Sequence, residues 1–383
     1  MRIAEVTVFP TRLPFRTTFK ISRGAVGSQA EGAPHIYVRV TADDGTVGWG
    51  EARPSHRWSY ETEESVVTTL RRYLGPAVVG LDAFDLEGAH AAMDHEIAPA
   101  NTTGQPIARS GLDMALHDLM LRKLGISLRS HLGATAAGEV RLSYLVTAED
   151  PEQAGAAAAQ ARAAGYEGFK VKIGLTPERD VEVVAAVKEE ARHISGGLVW
   201  ADANQAYTAS AAVKLARQLA EVGADVLEQP VPANDYAGLL ELRRLGALPI
   251  AADESVFSAA DFVQLWRLGV IDWLVIKVSK LGGLRAARRC IEFAREAGVE
   301  LLGSGLTESA LGFIASAQLY SALGVKRPVD LNGPQFLDGD PAAEPVALAD
   351  GKVRLTGAPG VGPAPDPDRL EEWRTESLGE VRK

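Results

Sequence analysis

The chain opens on alternating apolar and polar positions, IAEVTVFPTRL and then HIYVRVTADDGTVGWGEA, the period-two pattern of strands with one buried face. The Asp43-Asp44-Gly45-Thr46 step inside the second run predicts a hairpin turn. The helix-like stretches SVVTTLRRYLGPAVV and GLDMALHDLMLRKLG follow, so residues 1–125 read as an α+β unit. From about 139 the texture changes to short runs that are apolar almost throughout: VRLSYLV, GFKVKIG, GLVWADAN, ADVLEQP, LPIAADES, IDWLVIKVS, VELLGSG and PVDLNGP. Between these eight runs, seven helices are predicted near 151–164, 177–192, 209–222, 235–245, 258–268, 284–297 and 308–323. Strands without a polar face need cover on both sides, which a parallel sheet wrapped by helices provides. Eight of them predict a barrel over 126–332. The irregular, Pro- and Gly-rich tail, 333–383, is predicted to pack back on the first unit.

Composition narrows the partners more than the fold. A hydrophobic fraction of 46% and a charged fraction of 23% describe an ordinary globular chain. The net charge of −10 disfavours nucleic acid and anionic membrane surfaces. No apolar run has the length of a membrane helix, and the N-terminus lacks the pattern of a signal peptide, so a cytoplasmic protein acting on small molecules is expected. The lone cysteine, Cys290, lies in a helix-like stretch and reads as apolar filler.

The chemistry is visible where ionisable residues interrupt the strand runs. Asp202 ends GLVWAD, Glu228 ends ADVLE, Asp253 ends LPIAAD and Lys277 ends IDWLVIK, at intervals of 26, 25 and 24 residues. That interval is one strand–helix unit, so the four groups occupy equivalent places on successive strands and converge at the C-terminal mouth of the barrel. One acid after a strand is ordinarily the cap of the next helix. Three at one level repel one another, and hard oxygen donors of this kind suit Mg²⁺, with Mn²⁺ as a substitute. Lys170 and Lys172 in GFKVKIG share one strand face. Lys277 lies four strands further round, so Lys172 and Lys277 reach opposite faces of a bound molecule. A lysine acting as base there must be lowered from its usual value of about 10.4, and both a cation and the Lys170 charge act in that direction.

These pieces together (FKVKIG, WADANQAY, LEQP, AADES and VIKVSKLGG) resemble the enolase superfamily, in its muconate lactonizing enzyme subgroup, over essentially the whole chain. The pairing of a Lys or His base with Mg²⁺ in enolase-superfamily sites is a general example of tuned acid–base chemistry. The resemblance implies an α/β fold: a modified TIM (β/α)7β barrel with an α+β N-terminal capping domain completed by the C-terminal tail. It further implies that Asp202, Glu228 and Asp253 bind Mg²⁺, that Lys172 and Lys277 are the acid/base pair, that Lys170 tunes Lys172, and that Asn204 and Glu254 support the metal ligands. The implied reaction removes the proton α to a carboxylate and ends in racemisation, epimerisation or cycloisomerisation. Capping-loop residues Lys20, Arg23 and His56, with Ser143, Glu308, Asp330 and Asn332 on the barrel, are the implied substrate-facing positions. A homo-oligomer is implied by analogy alone.

Every histidine lies at or before His193, which excludes a His/Asp base on the later strands, and His117 reads as structural. The turn GSGLTES could instead bind phosphate, as in phosphosugar-binding barrels. A non-catalytic metal-binding barrel is a further alternative. Dipeptide epimerases of this subgroup carry Asp-x-Asp where DLNGP has Asp330 and Asn332. The ranking is therefore racemase or epimerase of an amino-acid derivative, then muconate-type cycloisomerase, then dipeptide epimerase or hydroxy-acid dehydratase.

Overall fold

The computed structural model describes residues 1–99 and 104–375. Five strands lie in the N-terminal unit: β1 (Ile3–Leu13), β2 (Phe19–Ile21), β3 (Gly24–Gly27), β4 (Ala33–Ala42) and β5 (Val47–Ala52). β1, β4 and β5 form an antiparallel meander with Val8 opposite Val38 and Val38 opposite Gly50, while β2 and β3 make a separate hairpin. The turn from β4 to β5 is the one expected at Asp43–Thr46, with Gly45 at φ +83°.

Helix Pro106–Leu124 lies directly on this sheet and is buried on every side from Pro106 to Leu121. Glycines permit the close approach. A Cβ on Gly50 would stand 2.0 Å from the Gly111 carbonyl oxygen, and one on Gly48 would stand 2.3 Å from the Leu119 nitrogen. Glu61 satisfies the start of the helix by accepting from the Ile107 and Ala108 N–H groups at 2.7 and 3.0 Å. The other side of the helix meets the barrel, where Asp113 accepts from Leu284 N–H and from His90, with His117 beside it.

A short strand β6 (Gly138–Arg141) precedes the barrel, whose strands are β7 (Ser143–Val146), β8 (Gly168–Lys172), β9 (Leu198–Asp202), β10 (Val226–Glu228), β11 (Ile250–Ala252), β12 (Trp273–Ile276) and β13 (Glu300–Gly303). They form one parallel sheet in chain order. All seven predicted helices are present; the first runs Pro151–Ala163 and the last Ala310–Ala322. The eighth strand is reduced to Val329 and Asp330, which bridge Leu142 and Ser304 and so close the ring. Alternate residues point inward, and Leu198, Trp200, Val226, Ala251, Trp273, Val275 and Leu302 pack as one cluster in the lumen. Their neighbours along each strand pack outward against the helices.

The tail does more than the sequence pattern predicts. Phe336 stacks on Phe19 of the hairpin at 4.8 Å, and Arg12 N–H donates to the Trp373 carbonyl while Thr375 N–H donates to that of Pro10, extending the sheet along β1. Between these contacts it runs under the barrel as β14 (Leu348–Ala349) and β15 (Lys352–Leu355), the latter pairing with β6. The tail thus touches both units, because Val353 and Leu355 are apolar and bury in the barrel's core. Among the described residues no helix is long and apolar enough to cross a membrane.

Candidate active site

The strand register sets the level of the charged groups. Lys172 pairs with Asp202 across β8 and β9, and Asp202 with Glu228 across β9 and β10. Asp253 and Lys277 are the residues immediately after β11 and β12. Lys170 and Lys172 share the inward face, as period two demands. Lys170 Nζ lies 2.8 Å from Glu228 Oε1, 3.0 Å from Asp202 Oδ2 and 3.3 Å from Asp330 Oδ2. Lys172 Nζ donates to Asp202 Oδ2 at 2.6 Å and to Asn204 Oδ1 at 2.8 Å. On the far wall Lys277 Nζ donates to Asp253 Oδ2 at 2.6 Å, and the Trp58 ring of the capping unit lies 4.1 Å from that ammonium. Lys280 takes the other oxygen, Asp253 Oδ1, at 2.8 Å.

Burial and charge compete throughout. Burial alone would lower Lys170 and Lys277, but the carboxylates around them outweigh it and hold both above the ordinary lysine value. At Lys277 the stabilising charge is Asp253. Burial raises Glu228 well above the usual carboxylate range and, with the charges of Asp253 and Asp202, lifts Glu254 to about 7. Burial opposes ionisation of Asp202 and Asp253 as well, yet the lysines on them keep both below the usual range.

The donor set fits a hard divalent cation. Glu228 Oε2 and Glu254 Oε2 are buried without a hydrogen-bond partner, and Asn204 Nδ2 orients Glu254 through its other oxygen at 2.9 Å. Among the described residues no three acids or histidines are gathered round one point, because ammonium groups stand between the carboxylates.

A cavity of 30 Å³ separates the barrel mouth from the cap. Lys170, Lys172, Lys277, Asp330 and Asn332 line its floor, and Phe19, Val26, Arg53 and Trp58 its roof. The remaining substrate-facing expectations are not brought there. Lys20 and Arg23 are exposed on the hairpin, with Arg23 reaching Gln205 at 3.5 Å, because their side chains stand on the outer face of β2 and the turn after it. His56 is exposed in a separate groove beside Arg12 and Glu63. Ser143 is buried at the opposite, N-terminal end of β7. Glu308 turns inward, accepting from Ser279 Oγ at 2.7 Å and Leu306 N–H at 2.7 Å, so Gly305, Leu306 and Thr307 face the cavity in its place.

Residues 153–369 match the family described as enolase C-terminal domain-like, and residues 3–133 match the mandelate racemase/muconate lactonizing enzyme N-terminal domain. The chain belongs to the enolase superfamily. Within it the chain is of the muconate lactonizing enzyme type and is an isomerase. It is 29% identical to the N-succinyl-L-Arg/Lys racemase of Bacillus cereus, over 97% of this chain and 98% of the relative. The muconate lactonizing enzyme of Pseudomonas fluorescens, solved with muconolactone, superposes with a TM-score of 0.90 at 28% identity, covering 98% of this chain and 99% of that one. The dipeptide epimerase of Enterococcus faecalis, solved with Mg and L-Leu-L-Tyr, gives 0.86 at 29% identity over 94% and 99%. Superfamily members use a divalent metal.

Proposed function

We propose that this isomerase is a divalent-cation-dependent racemase or epimerase of an amino-acid derivative whose α-nitrogen is acylated. The observation that carries the reading is the pair of lysines on opposite walls, Lys172 on β8 and Lys277 after β12, with one cavity between them. Asp202, Glu228 and Asp253 would hold the cation, with Asn204 and Glu254 supporting them. When bound, such an ion neutralises the charge that appears on the substrate carboxylate as its α-proton leaves. One lysine, in its neutral form, takes that proton, and the other, protonated, returns one from the opposite side. Lys170 stays charged, anchoring Asp202 and Glu228. Phe19 and Trp58 exclude water from above.

Asn332 favours the acylated nitrogen. Its Nδ2 donates to Asp330 Oδ1 at 3.0 Å, while Asp330 Oδ2 accepts from Ser304 Oγ at 3.1 Å. The acid is already engaged, whereas Asn332 Oδ1 is a buried acceptor with no partner. A neutral acceptor suits the single N–H of an amide better than a free ammonium. The alternative, muconate-type cycloisomerisation, is supported by the match to the muconolactone-bound enzyme and requires only one of the two lysines.

Replacing either Lys172 or Lys277 by alanine is expected to lower racemisation by roughly 10²–10⁴-fold, the usual worth of a positioned base. Each variant should still exchange the α-proton of one enantiomer in D₂O, followed by NMR. Wild-type exchange of both enantiomers by both variants would rule out the two-base assignment.

A further inference from the structure

A second cavity, of 130 Å³, lies at the seam between the capping unit and the barrel and shares no lining residue with the active-site cavity. Its apolar side comes from Leu86 and Leu128 before the barrel and from Leu284 and Leu319 on the barrel helices, and all of these but Leu86 are buried. A leucine-lined cavity of about 150 Å³ takes up benzene, so this one has room for a single ring or a branched aliphatic chain.

The other side is cationic. His117, on helix Pro106–Leu124, is only 7% exposed and turns Nδ1 to the Asp113 carbonyl at 2.8 Å, so that nitrogen carries a proton. Its Nε2 has no hydrogen-bond partner among the described residues and is left to the cavity. His131, at the end of the one-turn helix Leu128–His131, completes this side with Arg285 and Arg288 of helix Leu284–Ala297, and Glu87 is the one acid on the wall. Glu87 is shared by Arg285 and Arg289, while Arg288 has Glu292 beside it on its own helix. Asp113 and Asp94, whose charges also reach Arg285, are taken by His90 and Arg109. Burial first, and then the charges of His117 and Arg288, lower His131 from its ordinary value. In a chain of net charge −10, this wall gathers like positive charge around a buried nitrogen that lacks a partner.

We propose that this cavity binds a small carboxylate with an apolar body, an aryl- or branched alkyl-carboxylate, at a site separate from the catalytic one. The ring or chain lies among the leucines. The carboxylate accepts from His117 Nε2, the imidazole then carrying both protons, and from Arg288. Arg285 contributes charge at longer range, because Glu87 already occupies its fork. The assignment stands apart from the racemase reading, since no residue of the acid–base pair takes part in it.

The probe is phenylacetate, titrated into the Mg²⁺-loaded full chain carrying ¹⁵N-labelled histidine, with acetate and phenylacetamide as controls for the carboxylate alone and the ring alone. No histidine lines the active-site cavity, so a probe entering there leaves the His117 and His131 signals unmoved. Both signals should shift together and saturate with phenylacetate, at an affinity about tenfold or more above that for either control. His117→Gln and Arg288→Gln should each weaken phenylacetate several-fold, read on His131. A titration that leaves His117 and His131 unshifted overturns the site. Equal affinity for phenylacetamide would make it an apolar hole and equal affinity for acetate a surface anion contact, and either result overturns the proposal. So does unchanged phenylacetate affinity in either variant. If His117→Gln fails to fold, Arg288→Gln, at a half-exposed side chain, decides.

Discussion

Asp253 engages a lysine with each carboxylate oxygen, Lys277 on one and Lys280 on the other, and has a predicted share of the cation. Asp253→Asn is expected to abolish Mg²⁺ binding in a calorimetric titration. It should also lower stability by about 3–5 kcal/mol, because two buried ammonium groups lose their carboxylate. Unchanged affinity for Mg²⁺ would remove Asp253 from the ligand set. At this scale the lysines and acids were legible in the sequence because period two and the strand interval each constrain where a charge can point. Lys280 was less so, although it stands in the same VIKVSKLGG segment. The one-turn helix Val278–Leu281 folds it back under Asp253, and no periodicity announces a helix of four residues. Arg53 carries a signal of its own in the sequence. It continues the parity of Trp49 and Glu51 on a buried strand, so two charges share an apolar face, which is unusual without a purpose.

Elements were read more securely than the loops that join them. The barrel helices fall where the alanine-rich stretches predicted, because all but Ala310–Ala322, which is buried nearly all round, have an apolar stripe and most have a side-chain cap, such as Asp150 before Pro151 and Thr208 before Ala209. The eighth strand is shorter than the run PVDLNGP suggests: Val329 and Asp330 alone complete the ladder before the chain turns into Gly333–Phe336. Helix Pro106–Leu124 is a different case, since a helix enclosed by a sheet and a barrel shows no polar stripe, and its depth cannot be read from its pattern. Its seating depends on glycine. Gly50→Ala is expected to cost about 1–3 kcal/mol or more by forcing the helix off the sheet, measured as a lower midpoint in urea. A stability equal to wild type would show that the contact yields. The substrate-facing loops were the least legible part, because Lys20, Arg23 and His56 are placed by turns that carry no period at all.

The whole molecule is built around carboxyl groups held inside it, and these set its response to pH. Burial lifts Glu61, beneath the start of helix Pro106–Leu124, to about 7, and Asp340 to about 6. Both lie above the ordinary carboxyl value, so the folded state holds protons that the unfolded chain releases. Their contribution is complete below that ordinary value and is lost as pH rises toward 7. Glu61 alone should account for about 3 kcal/mol across this window, each pKa unit being worth about 1.4 kcal/mol. Thermal midpoints followed from about pH 4.5 to 8 should fall less steeply in Glu61→Gln than in wild type. An identical profile would place the dependence elsewhere. One feature at the chain's far end also matters for the molecule's life among other copies of itself. β1 is the outer strand of its sheet, and an outer strand with free N–H and carbonyl groups is a template on which another chain can assemble. Trp373, Arg374 and Thr375 lie along Pro10–Arg12 and occupy that edge. The chain is thereby its own gatekeeper: its last described residues fasten its beginning and leave that stretch of β1 closed to aggregation.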